Sequence, residues 1–191
     1  MDVAVKMIEI RPFLSLSGEN LTELNRGYTS TAHYRVSKSE TAERTVIMLE
    51  LEQLPNPYVK YWGSDAEELA RYQGFAAQGH SLAAYEGERF VALALCEPRR
   101  WNQTWWIWEF HVAESHRRRG IGRFLMEAVA QKAQDSGFRI LTLETQNTNV
   151  PAIHFYRAVG FEIEALDLSF YTNTDMSDGE VAIFMKRKLC P

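Results

Sequence analysis

The stretch that decides the fold covers residues 112–161 and reads VAESHRRRGIGRFLMEAVAQKAQDSGFRILTLETQNTNVPAIHFYRAVGF. Its pattern predicts, in order, a strand end, a tight basic loop, an amphipathic helix, a buried strand, a short polar loop and a second helix. We expect the first helix to begin near Gly122. The first backbone N–H groups of a helix lack intrahelical partners, and the helix dipole is positive there. This loop–helix junction therefore suits an anion, above all a phosphate.

Two glycines and several arginines give the loop its character. Gly120 and Gly122 allow the backbone to turn sharply and to approach a ligand closely. The positive charge at this end of the helix comes from Arg117, Arg118, Arg119 and Arg123. Taken alone, a basic surface turn before a helix would give the same pattern.

The loop resembles the acyl-CoA pyrophosphate loop of the GNAT superfamily of N-acetyltransferases. The shared pattern is Arg117-x-x-Gly120-x-Gly122 after an apolar strand. A later run is similar to the second motif of that superfamily at the expected spacing, and it reads Asn149-x-x-Ala152-x-x-Phe155-Tyr156-x-x-x-Gly160-Phe161. The two motifs together make a simple basic turn a poor explanation of the loop.

A narrower likeness is to streptothricin acetyltransferases. It rests on the run LETQNTN at 143–149, the triplet HFY at 154–156, Asp167, Tyr171 and the closing residues 180–184. The resemblance covers roughly the C-terminal half of the chain, and the first hundred residues or so resemble nothing as specific. It implies a GNAT fold, in which a mixed central sheet is splayed around the acetyl-CoA site and flanked by helices. It also implies acetyl-CoA as the co-substrate.

The resemblance further implies which residues bind the coenzyme. They come from the end of the strand, the basic loop and the start of the second helix. These residues are Phe110, His111, Val112, Arg117, Arg118, Arg119, Gly120, Ile121, Gly122, Arg123, Asn149, Ala152 and Phe155. An asparagine at position 149 also suits the cap of the helix that follows it, and the two roles are compatible.

Tyr156 is the candidate general acid. Acetyl transfer from a thioester expels a thiolate, and a phenol with an ordinary pKa near ~10 is protonated at neutral pH and can donate to that sulfur. The resemblance places Tyr156 at the general-acid tyrosine of the superfamily. The alternative is a core aromatic residue beside Phe155, which is the fate of most tyrosines.

Glu109 is the candidate base. An alkyl amine is mostly protonated at pH 7 and must lose a proton before it attacks. A carboxylate in the cleft can accept that proton directly or through water. The alternative is that Glu109 simply pairs with a nearby basic group such as His111. Alternation along a strand over 101–112, in which Trp108 is one of the apolar even-numbered residues, would place Glu109 on the opposite face from Phe110 and Val112.

The candidate substrate-binding residues are Trp108, Glu144 and Asp167. Asp167 lies near Glu162 and Glu164 in the sequence, and this acidic group can attract a cationic substrate. The histidines at 111, 116 and 154 do not have metal-ligand spacing with carboxylates, so no metal site is predicted.

Composition favours one ordinary globular domain over residues 1–191. The chain has 191 residues, of which 46% are hydrophobic and 24% are charged. A net charge of −4 argues against a general nucleic-acid binder. The basic cluster at 117–123 is therefore local, as a single phosphate-bearing cofactor requires.

Cysteine usage and the lack of targeting signals favour the cytoplasm. Cys96 and Cys190 show no metal or redox spacing and are expected to be free thiols in a reducing compartment. No apolar run approaches the ~20 residues of a membrane span. The first residues lack a signal-peptide pattern. We therefore expect a cytoplasmic protein with no membrane partner.

Elsewhere the hydrophobic pattern predicts alternating strands and helices, which indicates the α/β class. Strands are predicted over 3–10, 45–54, 81–85, 90–96, 101–112, 138–143, 161–168 and 180–188, with Pro55 ending the second of them. Helices are predicted over 17–34 with a break near Gly27, and over 64–78, 122–137 and 151–160.

These patterns and resemblances predict an acetyl-CoA-dependent N-acetyltransferase. The amine attacks the thioester directly, backbone N–H groups polarise the carbonyl, and no protein residue is acylated. By resemblance the substrate is streptothricin, acetylated at an amine of its β-lysine group to give antibiotic resistance. Two alternatives stay open: acetylation of another polyamine or a protein amine, and a non-catalytic acyl-CoA-binding regulatory domain. The expected partner is a small-molecule amine, and a homodimer is compatible with the sequence.

Overall fold

The computed structural model describes residues 7–16, 24, 27–63 and 65–189. The strands are β1 (Ile8–Pro12), β2 (Tyr28–Glu40), β3 (Thr45–Lys60), β4 (Leu82–Glu86), β5 (Arg89–Arg99), β6 (Thr104–Val112), β7 (Ile140–Gln146), β8 (Glu162–Asp167) and β9 (Ala182–Lys188). The helices with described bounds are α1 (Ala66–Ala77), α2 (Ile121–Asp135), α3 (Val150–Ala158) and the short α4 (Asp175–Asp178). None of the helices in this part of the chain is long and apolar enough to cross a membrane.

The chain divides into two compact units, each made from separated segments. The first contains β1, α1, β4, β5, β6 and α2, and the second contains β2, β3, α3, β8, α4 and nearly all of β9, while β7 begins in the first and ends in the second. Seven of the described strands belong to a mixed sheet, and β2 and β3 form a separate antiparallel pair. This architecture confirms the predicted α/β class.

In the first unit, the antiparallel strands β1, β4, β5 and β6 lie in that order, and α1 packs on them. Asp65 caps α1 by accepting a hydrogen bond from the backbone N–H of Glu68 at 2.8 Å, as the predicted helix start requires. Tyr72 and Ala76, one turn apart on α1, face a buried cluster. That cluster also contains Phe13, Leu16, Leu24, Ala83, Leu93 and Leu95.

Helix α2 confirms the predicted amphipathic helix but not every residue of its apolar face. Leu125 and Val129 are buried as predicted, whereas Phe124 is 51% exposed. At about 100° per residue, Phe124 lies on one side of Ile121 around the helix axis, and Leu125 and Val129 lie on the other side. Met126 fills the buried face instead.

The predicted helix over 17–34 is wrong for its second half, because residues 28–40 form strand β2. Residues 17–23 and 25–26 lie outside the described part of the chain, as do residues 3–6 of the predicted first strand and Ser64. Buried Ser30, Ala32 and Tyr34 alternate with more exposed neighbours, which is the two-residue period of a strand. The run is also rich in Thr, Tyr and Val, which favour strands.

Strand β3 continues to Lys60, although Pro55 was predicted to end it. Across the β2–β3 pair, Ala32 lies opposite Gln53 and Ser30 lies opposite Tyr58, so residues 54–57 form a bulge against one residue of β2. Pro55 and Pro57 both fall within this bulge. A bulge leaves residues outside the hydrogen-bond ladder, and proline, which has no N–H to donate, is tolerated there.

We predict that Gly27→Ala destabilises the second unit strongly. Gly27 has φ +104°, and a Cβ at this position would lie 1.8 Å from the carbonyl oxygen of Lys60. The matched control is Gly87→Ala, because Gly87 also has a positive φ (+64°) but its Cβ would meet nothing within 4 Å. The control should lose about 1–2 kcal/mol, the cost of a left-handed backbone, and Gly27→Ala clearly more. Equal losses of unfolding free energy in the two variants, measured by urea denaturation, would show that the close approach of Gly27 to Lys60 is unimportant.

Candidate active site

The basic loop has the conformation that an anion site needs. After β6 the chain makes a 3₁₀ turn over Glu114–His116 and reaches α2 through Arg118 (φ +63°) and Gly120 (φ +81°). Gly120 is the N-cap of α2, which begins at Ile121, one residue before the predicted start. No side chain caps this helix end, so its first N–H groups point outward without a side-chain acceptor. A Cβ on Gly120 would meet nothing within 4 Å, so the space in front of the helix is open.

Two of the loop arginines hold the loop in place. The Nε of Arg117 donates to the carbonyl oxygen of Val112 at 3.1 Å. The guanidinium of Arg119 donates to Oε1 of Glu86, at the end of β4, at 2.9 Å, and Nε2 of buried His116 lies 3.4 Å from Oε2. Arg119, and to a lesser extent His116, lower the pKa of Glu86. Sequence reasoning missed these contacts, because Glu86 lies at the end of β4, thirty-three positions before Arg119.

A β-bulge in β6 sets the direction of the residues before the loop. Leu95 of β5 pairs with Glu109 and Cys96 pairs with Ile107, which leaves Trp108 as the extra residue. Consecutive strand residues normally point to opposite faces, but a bulge breaks this alternation. Trp108 and Glu109 therefore both contact α1, which the two-residue alternation of a regular strand would not allow.

Both oxygens of the Glu109 carboxylate are hydrogen-bonded. The hydroxyl of Tyr72, on α1, donates to Oε1 at 2.7 Å, and Nε2 of His111 contacts Oε2. The predicted pairing of Glu109 with His111 is therefore confirmed, and it does not remove the carboxylate from solvent, because 17% of the side chain is exposed. Burial, followed by the charge of Glu109, raises the pKa of Tyr72 far above its usual value. Sequence reasoning missed Tyr72, since nothing distinguishes it from other apolar positions of α1.

Trp108 is the centre of an aromatic and cationic cluster. Its ring stacks on Phe75 with the centroids 5.4 Å apart, and its Nε1 donates to Glu97 at 3.0 Å. The guanidinium carbons of Arg71 and Arg99 lie 5.1 and 5.4 Å from the ring centroid. The indole face thus attracts cations, which is the property expected of a residue that binds a cationic substrate.

Cys96 is not a nucleophile. It lies on β5 with no exposed surface, and burial raises the pKa of its thiol to about 12. A thiol with this pKa stays protonated at neutral pH, and only a thiolate attacks a thioester efficiently. Cys190 lies outside the described residues. Among those residues, no group of three His, Cys, Asp or Glu side chains is arranged to hold a metal ion.

In the second unit, α3 and its N-cap carry four of the predicted residues. Asn149 is its N-cap and accepts a hydrogen bond from the N–H of Ala152 at 3.3 Å, so the capping role is confirmed. Tyr156 is 8% exposed, and its ring lies 5.5 Å from that of Phe155 and 5.7 Å from that of Phe161. The tyrosine is thus part of the apolar packing of its unit while a small part of it reaches the surface.

The two predicted acidic substrate residues have different surroundings. Glu144, on β7, accepts a hydrogen bond from the hydroxyl of Tyr171, and burial raises the pKa of that tyrosine above its usual value. Asp167, at the end of β8, is exposed and accepts from the N–H of Ser169 at 3.0 Å, which closes a local turn.

Sequence reasoning missed a polar cluster in the same unit. Glu180 forms an ion pair with Lys60, and the hydroxyl of Thr148 lies 3.4 Å from Glu180 and 2.6 Å from the hydroxyl of Tyr28. The side chain of Asn147 joins this region, since it accepts from the N–H of Val181 and donates to the carbonyl oxygen of Tyr34. The run LETQNTN, quoted above only for its resemblance, supplies Asn147 and Thr148.

Comparison with known proteins places these features in a family. The model of the acetyltransferase (GNAT) family matches residues 46–161. The chain belongs to the GNAT family. The match includes the basic loop, Glu109 and Tyr156, and it confirms both the predicted fold and the predicted enzyme class, an N-acetyltransferase. The non-catalytic alternative is not favoured.

Individual relatives of this GNAT chain agree with the family match. A streptothricin acetyltransferase from Streptomyces lavendulae is 39% identical over 130 residues, which cover 68% of this chain and 67% of the relative. Streptothricin acetyltransferase A from Bacillus subtilis (strain 168) is 29% identical over 133 residues, with 70% and 75% covered.

Solved structures with the same fold cover nearly the whole chain. The crystal structure of a nourseothricin acetyltransferase superposes with a TM-score of 0.75 at 28% identity, covering 96% of this chain and 99% of that one. A structure from Bacillus anthracis in complex with acetyl coenzyme A has a TM-score of 0.73 at 24% identity, covering 95% and 99%, and supports the fold.

Proposed function

We propose that this GNAT enzyme transfers the acetyl group of acetyl-CoA to an amine of the β-lysine group of streptothricin and thereby gives resistance to that antibiotic. The observation that carries the substrate assignment is 39% identity to the Streptomyces lavendulae streptothricin acetyltransferase over about two thirds of both chains. Another polyamine or a protein amine is the second candidate acceptor, because other acetyltransferases share the fold.

The pyrophosphate of acetyl-CoA binds at the start of α2. The uncapped N–H groups and the open space at Gly120 suit a phosphate oxygen, and exposed Arg118 adds charge. Arg117 and Arg119 contribute mainly by fixing the loop. The remaining contacts come from Phe110, His111, Val112, Ile121, Gly122, Arg123, Asn149, Ala152 and Phe155.

The chemistry needs one base and one acid. Glu109 accepts a proton from the substrate ammonium, directly or through water, and the free amine nitrogen then attacks the thioester carbonyl. The tetrahedral oxyanion collapses, the C–S bond breaks, and Tyr156 donates its proton to the departing thiolate. The products are an acetamide and free coenzyme A. With Cys96 protonated and buried, no acyl-enzyme is needed.

The acceptor is recognised through its positive charge. Trp108 offers an aromatic face and Glu144 and Asp167 offer carboxylates, and each of these attracts an ammonium or guanidinium group. The hydroxyl of Tyr171 keeps the Glu144 carboxylate hydrogen-bonded in the free enzyme.

The whole chain acts as one domain in this proposal. The two units each consist of separated segments, and the family match over 46–161 includes residues of both. A cytoplasmic location, a homodimer and the absence of nucleic-acid binding stay predictions.

The first prediction for this function concerns Gly120. We expect Gly120→Asn to weaken acetyl-CoA binding by at least about 10-fold, roughly 1.4 kcal/mol, because the new side chain enters the space of the pyrophosphate. Asparagine tolerates a left-handed backbone better than other residues, so the fold should survive. Isothermal titration calorimetry measures the affinity.

The matched control is Gly137→Asn. Gly137 follows the other end of α2, has φ +79°, and its Cβ also meets nothing within 4 Å. The two variants therefore impose the same backbone change, and the control should bind acetyl-CoA like the parent. Unchanged acetyl-CoA affinity in a folded Gly120→Asn protein would show that the coenzyme does not bind at this loop.

The second prediction concerns Tyr156. Tyr156→Phe keeps the ring and removes only the hydroxyl, so kcat should fall by about 10²–10⁴-fold while acetyl-CoA affinity stays the same. Single-turnover measurements separate the chemical step from product release. The control is Tyr34→Phe, which removes the 2.6 Å hydrogen bond from Arg157 and should lower the melting temperature without slowing chemistry. If Tyr156→Phe keeps the parental single-turnover rate, Tyr156 is a packing residue and not the general acid.

The third prediction concerns the substrate. Purified protein with acetyl-CoA should add one acetyl group to streptothricin, with fragmentation by mass spectrometry placing it on the β-lysine group, and cells expressing the protein should survive the antibiotic. A panel of polyamines and peptide amines serves as the comparison. If the protein binds acetyl-CoA and acetylates a panel amine but leaves streptothricin unmodified, the substrate assignment is wrong and the family chemistry stands.

A further inference from the structure

We propose that Tyr72 is a positioning residue of this enzyme: its hydroxyl holds the Glu109 carboxylate in the orientation in which it accepts the amine proton. The inference rests on the proposed role of Glu109 as the base. It adds a residue from α1, outside every motif of the sequence, to the catalytic machinery.

The phenol of Tyr72 is a fixed donor. The residue is 4% exposed and belongs to the buried cluster between α1 and the sheet, and its ring lies 6.5 Å from that of Phe75, the next inward-facing residue of the helix. Packing of this kind locks the side chain in one rotamer. The hydroxyl is therefore presented to Oε1 of Glu109, 2.7 Å away, from a rigid element.

The Glu109 side chain, in contrast, would be flexible without its contacts to Tyr72 and His111. A glutamate loses considerable rotamer entropy when it is ordered, so a part-exposed glutamate needs partners to keep one orientation. Tyr72 binds Oε1 and His111 binds Oε2, which together fix the plane of the carboxylate. Two oxygens offer about four lone-pair positions, so the two contacts leave positions for the amine or a bridging water.

The single proton of the Tyr72 hydroxyl has two possible acceptors. Besides Glu109, it lies 3.1 Å from Oε1 of Glu68, one turn earlier on α1. The contact to Glu109 is 0.4 Å shorter, at 2.7 Å against 3.1 Å, and the same Oε1 of Glu68 also lies 3.7 Å from Nη2 of Arg71. The hydroxyl thus serves mainly Glu109.

Several charged groups surround the Glu109 carboxylate. His111 faces it from β6, Tyr72 and the Glu68–Arg71 pair from α1, and Glu97 and Arg99 lie on β5 around the neighbouring Trp108. Burial and the nearby carboxylates keep Tyr72 protonated, so it stays a donor throughout the working pH range. Loss of a donor to an ionised carboxylate favours its protonated form.

The test combines Tyr72→Phe, Glu109→Gln and the double variant. Tyr72→Phe keeps the packed ring, and we expect kcat/KM to fall by about 10- to 100-fold, the factor that corresponds to one hydrogen bond to a charged group. We also expect the acidic limb of the kcat/KM profile to move to higher pH, because the base then requires a higher pH to ionise. In the Glu109→Gln background the same substitution should have little further effect, since Tyr72 acts through Glu109.

Two controls separate positioning from packing. Tyr85→Phe removes a hydroxyl from another tyrosine packed on the same cluster and should leave the pH profile unmoved. Glu68→Gln, at a part-exposed position that tolerates the change, should keep an active enzyme. A loss in Glu68→Gln as large as that in Glu109→Gln would make Glu68 the base and overturn the inference.

The remaining outcomes are distinguishable. Parental turnover in Glu109→Gln would overturn the base assignment and, with it, the role of Tyr72. If Glu109→Gln lowers the rate but Tyr72→Phe keeps the parental rate and pH profile, only the role of Tyr72 is overturned. Equal losses from Tyr72→Phe in the parental and Glu109→Gln backgrounds would show that the hydroxyl acts on the fold and not on the carboxylate.

Discussion

One extra residue in β6 determines the geometry of the first unit. Because Trp108 is paired in register with no residue of β5, the two-residue alternation of the strand is interrupted, and Trp108 and Glu109 both face α1. Without the bulge, one of them would point to the other side of the sheet. The indole would lose its stack on Phe75, or the carboxylate would lose the hydroxyl of Tyr72. The aromatic surface and the candidate base are neighbours in space because of this single irregularity.

Strand β6 links the candidate base, Glu109, to the proposed coenzyme loop. Glu109 lies three positions before the end of β6 at Val112, and the carbonyl of Val112 accepts the hydrogen bond that fixes Arg117. The loop is fixed a second time at Glu86, the last residue of β4. These two contacts attach the loop to two strands of the same sheet, so the proposed phosphate site at the start of α2 and the candidate base Glu109 are supported by the same rigid elements.

Sequence reasoning identified this region well where the signal is local. The loop, α2, α3 and the cap at Asn149 follow from glycines, arginines, apolar periodicity and a capping residue, each read within a few positions. It failed where the answer depends on partners far along the chain. Residues 28–34 became a strand by pairing with β3, the bulge in β6 is defined against β5, and the bracing Glu86 and the donor Tyr72 come from other elements. No local pattern encodes such contacts.

Several features of the first unit cost stability in isolation, and they occur together around the proposed chemistry. Arg118 adopts a left-handed φ, which costs a residue with a Cβ about 1–3 kcal/mol, and α2 begins at a glycine without a side-chain cap, which costs roughly a few tenths of a kcal/mol. A carboxylate is also kept part-buried beside a buried phenol. Sequence and structure usually agree with local folding preferences, and exceptions concentrate at functional sites. The uncapped start of α2 leaves backbone donors without a side-chain acceptor, as an anion site requires.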